Sequence, residues 1–178
     1  MTTDLPGVLV LEPRVFGDSR GYFLESFNAR KFSDATGIEK TFYQDNLSRS
    51  RKRVLRGLHY QIQQPQDKLV AVVRGTIFDV AVDIRRSSPH FGRWVRVELS
   101  EANHRQIWVP AGFAHGFVVL SEEADVMYKT TDYYAPQHER TILWNDPQLN
   151  IAWPPGIEPL VSDKDKQGVS LSDAELFD

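Results

Sequence analysis

Between residues 54 and 144 the chain runs as short segments of alternating apolar and polar residues, broken every few positions by Gly, Pro, Ser or Asn. Segments this short make poor helices, and a period of two is the signature of a half-buried strand. Lys68 to Arg74 leads into Gly75-Thr76, a turn signal, and then into Ile77 to Ile84, so a hairpin is expected there. In its second arm Phe78, Val80, Val82 and Ile84 share one face, and Ile77, Asp79, Ala81 and Asp83 share the other. Trp94 to Leu99 alternates with Val95, Val97 and Leu99 inward. Gln106–Val109, Gly116–Leu120 and Ala124–Thr131 continue the series, and Val8–Leu11 and Gly21–Phe27 are strand-like near the N-terminus. About seven strands at such spacing predict an antiparallel sandwich or closed barrel. Helix is expected only at Ala29–Thr36 and Ser172–Leu176.

The 178 residues contain no internal repeat, low-complexity tract or break in composition, so a single domain over 1–178 is expected. A chain of that size buries roughly 70% of its unfolded surface. With no cysteine there are no disulfides and no thiolate metal sites, which fits a cytoplasmic protein. No apolar run approaches the ~18 residues of a membrane span. Met1-Thr2-Thr3-Asp4-Leu5-Pro6 lacks the basic start and apolar core of a signal peptide. A net charge of −3 argues against general nucleic-acid binding. One local exception is the cluster Arg49, Arg51, Lys52, Arg53 and Arg56. It reads either as a nucleic-acid patch or as a solvated turn with one or two arginines aimed at a phosphorylated ligand.

The octet Val54-Leu55-Arg56-Gly57-Leu58-His59-Tyr60-Gln61 sets an arginine and a histidine three apart inside an apolar run. An imidazole exchanges protons near neutral pH, and a guanidinium clamps phosphate or carboxylate. The octet therefore fits an acid/base site for an anionic substrate, or else a surface strand with snorkelling polar ends. In an unbroken strand Arg56 and His59 would face opposite sides. For both to meet one substrate the backbone must bulge or turn near Gly57.

Pro110-Ala111-Gly112-Phe113-Ala114-His115-Gly116-Phe117 resembles the second motif of the cupin superfamily, small β-barrels whose mouths often hold a metal. Where metal cupins carry further histidines and an acidic ligand, this chain has His59-Tyr60-Gln61 and then Lys68. At most two imidazoles remain, beside a cation, so no metal is expected. Taken singly, His59, Lys68, Asp79, His115 and Tyr128 each have an ordinary structural role open to them. Together a His base, a Tyr proton donor and a Lys that stabilises an oxyanion suit proton removal next to a ketone.

Phe16 to Phe23, Gln44-Asp45-Asn46, Val54 to Gln61, Phe78 to Asp83, Pro110 to Phe117 and Ile142 to Asp146 occur in an order that strongly resembles the dTDP-4-dehydrorhamnose 3,5-epimerases. The likeness runs from Leu9-Glu12-Pro13 to Ser162-Asp163-Lys164-Asp165. It implies an all-β, cupin-like jelly-roll barrel with a few short helices, working as a homodimer with exchanged N-terminal strands. It implies a dTDP-4-keto-6-deoxy-D-glucose substrate inverted at C3 and C5 to dTDP-4-keto-L-rhamnose, without a cofactor. By the same resemblance His59 matches the catalytic base, Asp165 its carboxylate partner, Tyr128 the proton donor and Lys68 the residue near the keto oxygen. Arg20, Glu25, Gln44, Asn46, Arg56, His115, Glu139 and Lys164 match substrate contacts, with Phe23 or Phe27 available to stack on thymine.

One departure is Leu47-Ser48, where the family often has His-Ser. Relatives that epimerise a single carbon of a related dTDP-ketosugar share nearly the same motifs, so a 3- or 5-epimerase is an alternative. Other rivals are a non-catalytic nucleotide-sugar binding protein, a metal-dependent cupin oxygenase or lyase, and a nucleic-acid binder using the arginine cluster.

Overall fold

A computed structural model describes residues 1–178. Its strands are β1 (Leu9–Leu11), β2 (Val15–Asp18), β3 (Gly21–Leu24), β4 (Gln44–Arg51), β5 (Val54–Gln61), β6 (Lys68–Arg74), β7 (Thr76–Asp83), β8 (Trp94–Ser100), β9 (Gln106–Val109), β10 (Phe113–Val119), β11 (Glu123–Thr130), β12 (Glu139–Thr141) and β13 (Leu160–Val161). Helix is confined to α1 (Ala29–Thr36), a single 3-10 turn at Pro136–His138, and α2 (Asp163–Lys166).

Two sheets face each other. One is ordered β1-β9-β6-β11-β4, the other β12-β5-β10-β7-β8 with β13 alongside β5. From β4 onward the chain passes repeatedly from one sheet to the other, giving the expected all-β, cupin-like jelly roll. Between the sheets lies a core that includes Val70, Val72, Ile77, Ala81, Leu99, Ile107, Phe117 and Val126. Val95 and Val97 pack on it beside Leu99, as their alternation predicts. The outer face of the second sheet (Leu55, Leu58, Phe78, Val80, Val82, Ile84) is covered by the C-terminal segment through Ile142, Leu149, Ile151, Leu171 and Ala174. β7 is therefore buried on both faces, and its two buried aspartates are paired, Asp79 with His115 and Asp83 with Arg85. On the other sheet α1 sets Phe32 against Leu69 and Trp108. Its Asn28 cap accepts the Lys31 N–H at 3.1 Å, and Gly37 ends it at a φ of +71°.

Three expectations are corrected. β6 and β7 do not pair: β6 lies between β9 and β11, and β7 between β10 and β8. Gly75 is a corner at which the chain changes sheets, and a Cβ there would lie 2.1 Å from the Glu123 carbonyl oxygen. Ser172–Leu176 is not helical, because Leu171 and Ala174 are drawn onto the sheet and Arg86 N–H binds the Phe177 carbonyl at 2.8 Å. The second helix is Asp163–Lys166, capped by Ser162. Finally, β3 stops at Leu24. Glu25 and Phe27 leave the hairpin, Glu25 to pair with Lys31 and Phe27 to pack on Phe32 and Phe42.

Candidate active site

β5 is irregular where Arg56 and His59 require it. On β10, His115 is opposite His59 and Phe117 is opposite Arg56, so Gly57 and Leu58 together face Gly116 alone. That extra residue makes a bulge and restores parity, turning Arg56 and His59 to the same side. Gly57 has a φ of +124°, and a Cβ on it would sit 2.6 Å from the Gly116 Cα. No other residue fits there. Leu55, Leu58 and Tyr60 point outward into the second core.

The inward side chains open into a cavity of about 370 Å³ at one end of the barrel. β4 contributes Gln44, Asn46 and Ser48, β5 Arg56 and His59, β6 Lys68, β10 His115 and Phe117, β11 Val126 and Tyr128, and β12 Glu139. The strict alternation of β4 turns its amides and hydroxyls inward and Asp45, Leu47 and Arg49 outward. A larger groove of about 770 Å³ runs beside β1 and α1, but no His or Tyr lines it.

Each histidine is held by its own carboxylate. His59 Nε2 lies 2.5 Å from Asp165 Oδ1, and the residue lines the cavity. Asp165 is set by α2, where its N–H binds the Ser162 hydroxyl at 3.1 Å. Burial raises the Asp165 pKa, but the bonds to His59, Ser162 and the Gly57 backbone outweigh it and hold the carboxyl below its usual range. His115 Nε2 reaches both Asp79 oxygens at 2.9 Å, so Asp79 supports His115 from the buried sheet.

Three further groups have altered acidity. Burial pushes the Lys68 ammonium down to about 8, against the opposing pull of Glu139 and Asp79. Burial also raises the Tyr128 phenol, with Arg56 acting the other way, so it stays protonated at neutral pH. Burial raises Glu139, but bonds from Lys164 and the Tyr134 hydroxyl more than compensate and keep it ionised. The arrangement is a carboxylate-bound imidazole, a protonated phenol and a buried cation around one small cavity. No group of three His, Cys, Asp or Glu side chains converges there as a metal site requires.

The family model described as dTDP-4-dehydrorhamnose 3,5-epimerase matches residues 2–173. The chain belongs to that family. An epimerase of that name from Pseudomonas aeruginosa is 60% identical over 97% of this chain and 96% of its own. One from Shigella flexneri is 56% identical over 98% and 97%. The solved structure of the Legionella pneumophila dTDP-6-deoxy-D-glucose-3,5-epimerase in complex with dTDP-4-keto-L-rhamnose superposes with a TM-score of 0.96. It is 52% identical and is matched over 98% of this chain and 93% of that one.

Against the epimerase expectations, the structure brings His59, Tyr128, Lys68, Gln44, Asn46, Arg56, His115 and Glu139 to one cavity. Asp165 stands behind His59, and Lys164 behind Glu139. Arg20 and Glu25 are not brought there by their own chain. Arg20 sits on the exposed β2–β3 hairpin paired with Asp18, and Glu25 pairs with Lys31. Phe27 is committed to the aromatic cluster of Phe32 and Phe42, whereas Phe23 is 68% exposed. Much of the arginine cluster is neutralised, by Arg49 with Asp125, Lys52 with Glu122 and Arg53 with Glu158. Arg56 has only the Ser50 hydroxyl, 3.0 Å away, and faces the cavity.

Sequence reasoning missed Ser48, Gln66, Phe117, Val126 and Tyr134 in the cavity wall. Ser48 was legible in principle, two residues from Asn46 on an alternating strand. Tyr134 lies on a loop, where no period announces it, yet its hydroxyl donates to Glu139 at 2.6 Å.

Proposed function

We propose that the chain inverts dTDP-4-keto-6-deoxy-D-glucose at C3 and C5, giving dTDP-4-keto-L-rhamnose without a cofactor. The reading is carried by one observation: His59, held by Asp165, shares its cavity with Tyr128 and Lys68.

The C4 ketone acidifies the neighbouring C–H bonds. His59 Nδ1 takes the proton from carbon, and the electron pair of that bond moves onto O4 as an enolate. The Lys68 ammonium stabilises the oxyanion, in a site where partial exclusion of water strengthens the interaction. Tyr128 then gives its hydroxyl proton to the same carbon from the opposite face, which inverts it. Solvent removes the proton from His59 and restores the one on Tyr128 before the second carbon reacts. Asp165 fixes the His59 tautomer and stabilises the imidazolium that forms. His115, Glu139 and Lys164 contact the sugar end, and Arg56, Gln44 and Asn46 the diphosphate.

The chain acts as a homodimer with exchanged N-terminal strands. In support, Phe16, Tyr22 and Phe23 of the β2–β3 hairpin stay 50%, 60% and 68% exposed even with Arg14 over Phe16 and His104 beside Tyr22, an apolar surface largely left open. In the dimer Arg20 and Glu25 serve the partner's cavity. No helix is long and apolar enough to cross a membrane, and we place the enzyme in the cytoplasm.

NMR of the product formed in deuterated water tests the reading. Deuterium at both C3 and C5 is expected. Label at one carbon alone would identify a single-carbon epimerase, and no label would leave a nucleotide-sugar binding protein.

A further inference from the structure

β6 begins at Lys68, β9 ends at Val109 and β11 ends at Thr130, so three strands run out together at one end of the barrel. Backbone groups just past such an end have lost their ladder partners and need replacements. Asp67 supplies them from a buried position. Its Oδ1 accepts the Ala111 N–H at 2.9 Å, and its Oδ2 accepts the Thr131 hydroxyl at 2.8 Å. Lys40 approaches Oδ2 at 3.4 Å. In return the Thr131 hydroxyl oxygen accepts the Asp67 N–H at 2.9 Å, and Thr131 N–H donates to the Asp67 carbonyl at 3.1 Å.

Every segment tied in this way carries a side chain of the cavity. Lys68 follows Asp67 directly, His115 lies four residues beyond Ala111, and Tyr128 lies three before Thr131. Asp67 itself does not line the cavity, although its neighbours Gln66 and Lys68 do.

We propose that Asp67 is a positioning residue for the epimerase reaction, its one buried carboxylate fixing Lys68, His115 and Tyr128 relative to one another. The inference rests on the epimerase reading. The oxyanion holder, the sugar contact and the proton donor come from three different strands, and a shift of about 1 Å in such a set lowers turnover on the order of 100-fold. The tie depends on connection rather than charge. In Asp67→Asn the amide oxygen can still accept from Ala111, and the NH₂ can donate to the Thr131 oxygen. In Asp67→Ala the Ala111 N–H and the Thr131 O–H both lose their acceptor, and the Thr131 hydroxyl keeps only the bond from the backbone N–H of residue 67.

The test compares wild type, Asp67→Ala, Asp67→Asn and Thr131→Val on the dTDP-4-keto sugar, each well below its own melting midpoint. Asp67→Ala is expected to lower kcat by about 10- to 100-fold with KM little changed, and Asp67→Asn to recover most of kcat. Wild-type kcat in Asp67→Ala, with only a lower melting point, would make Asp67 a mere staple and overturn the proposal. An Asn variant as impaired as the Ala one would do the same. Should Asp67→Ala not fold, Thr131→Val removes the Oδ2 side of the tie: a reduced kcat supports the proposal and an unchanged one overturns it. An inactive wild type would instead sink the epimerase reading.

Discussion

His59 and His115 are register partners on adjacent strands, yet each directs its Nε2 to a different carboxylate, Asp165 for one and Asp79 for the other. The two pairs look alike but are built differently. Asp79 belongs to the buried sheet itself, whereas Asp165 arrives from a helix more than a hundred positions away from His59 in sequence.

The pairs should therefore fail differently. Asp165→Asn is expected to lower kcat by roughly 10²- to 10⁴-fold, as tautomer-fixing carboxylates do, while dTDP affinity stays near wild type. Asp79→Asn should weaken kcat/KM by about tenfold or less, since the role proposed for His115 is binding rather than proton transfer. Steady-state kinetics beside dTDP calorimetry separates the two. Equal losses in kcat would show that His115 shares the base function.

Lys68 should govern the alkaline limb of activity. Its ammonium is pushed down to about 8 by burial, so turnover is expected to fall as pH rises through that value. Lys68→Arg should shift the limb upward, because arginine keeps its charge. Stability runs the opposite way. A cation whose folded pKa lies below its unfolded value of 10.5 destabilises the fold fully below about 8, and that penalty disappears as pH rises from about 8 to 10.5. Lys68→Met should accordingly lose most activity and gain on the order of 1–2 kcal/mol in urea denaturation at pH 7. A Met variant less stable than wild type would contradict this.

Gly57→Ala tests the bulge. A methyl group 2.6 Å from the Gly116 Cα, at a φ of +124°, forces the two strands apart. The substitution should destabilise the protein by about 2 kcal/mol or more and lower activity further by turning Arg56 away from His59. Thermal melts and kcat/KM both read it. A variant with normal activity would mean that the shared facing of these two side chains is dispensable.

The proposed exchanged-strand dimer makes a prediction about mixtures. Arg20→Ala and His59→Ala homodimers should each be weak, the first through KM and the second through kcat. Mixed and allowed to exchange subunits, they should regain activity, because one site of the mixed dimer holds the intact His59 of one chain and Arg20 of the other. Mixtures no more active than the average of their parents would place Arg20 outside the partner's site.

Alternation made much of the barrel readable from sequence. Val95, Val97 and Leu99 point inward because a strand has no other way to bury one side. The requirement that Arg56 and His59 share a substrate was enough to locate an irregularity at Gly57. Gly75 was misread because a turn signal reports that the chain bends, not which sheet receives it. The helix expected at Ser172–Leu176 is overridden by tertiary packing, which draws Leu171 and Ala174 onto the sheet. Arg20 and Glu25 were named by resemblance alone, and a single chain gives them no cavity to enter. Asp165 has a local trace in the Ser162 cap, but nothing nearby in sequence points to His59.

The covering of the second sheet by residues 142 to 177 has a practical consequence. That tail insulates the apolar outer face and also delivers Asp165 to His59. Peeling it back would silence the enzyme while the strands beneath were still paired, so on heating or in mild urea inactivation should precede the loss of β-sheet circular dichroism. Engineers seeking a hardier catalyst should begin by fastening that flap rather than by enlarging the barrel's interior.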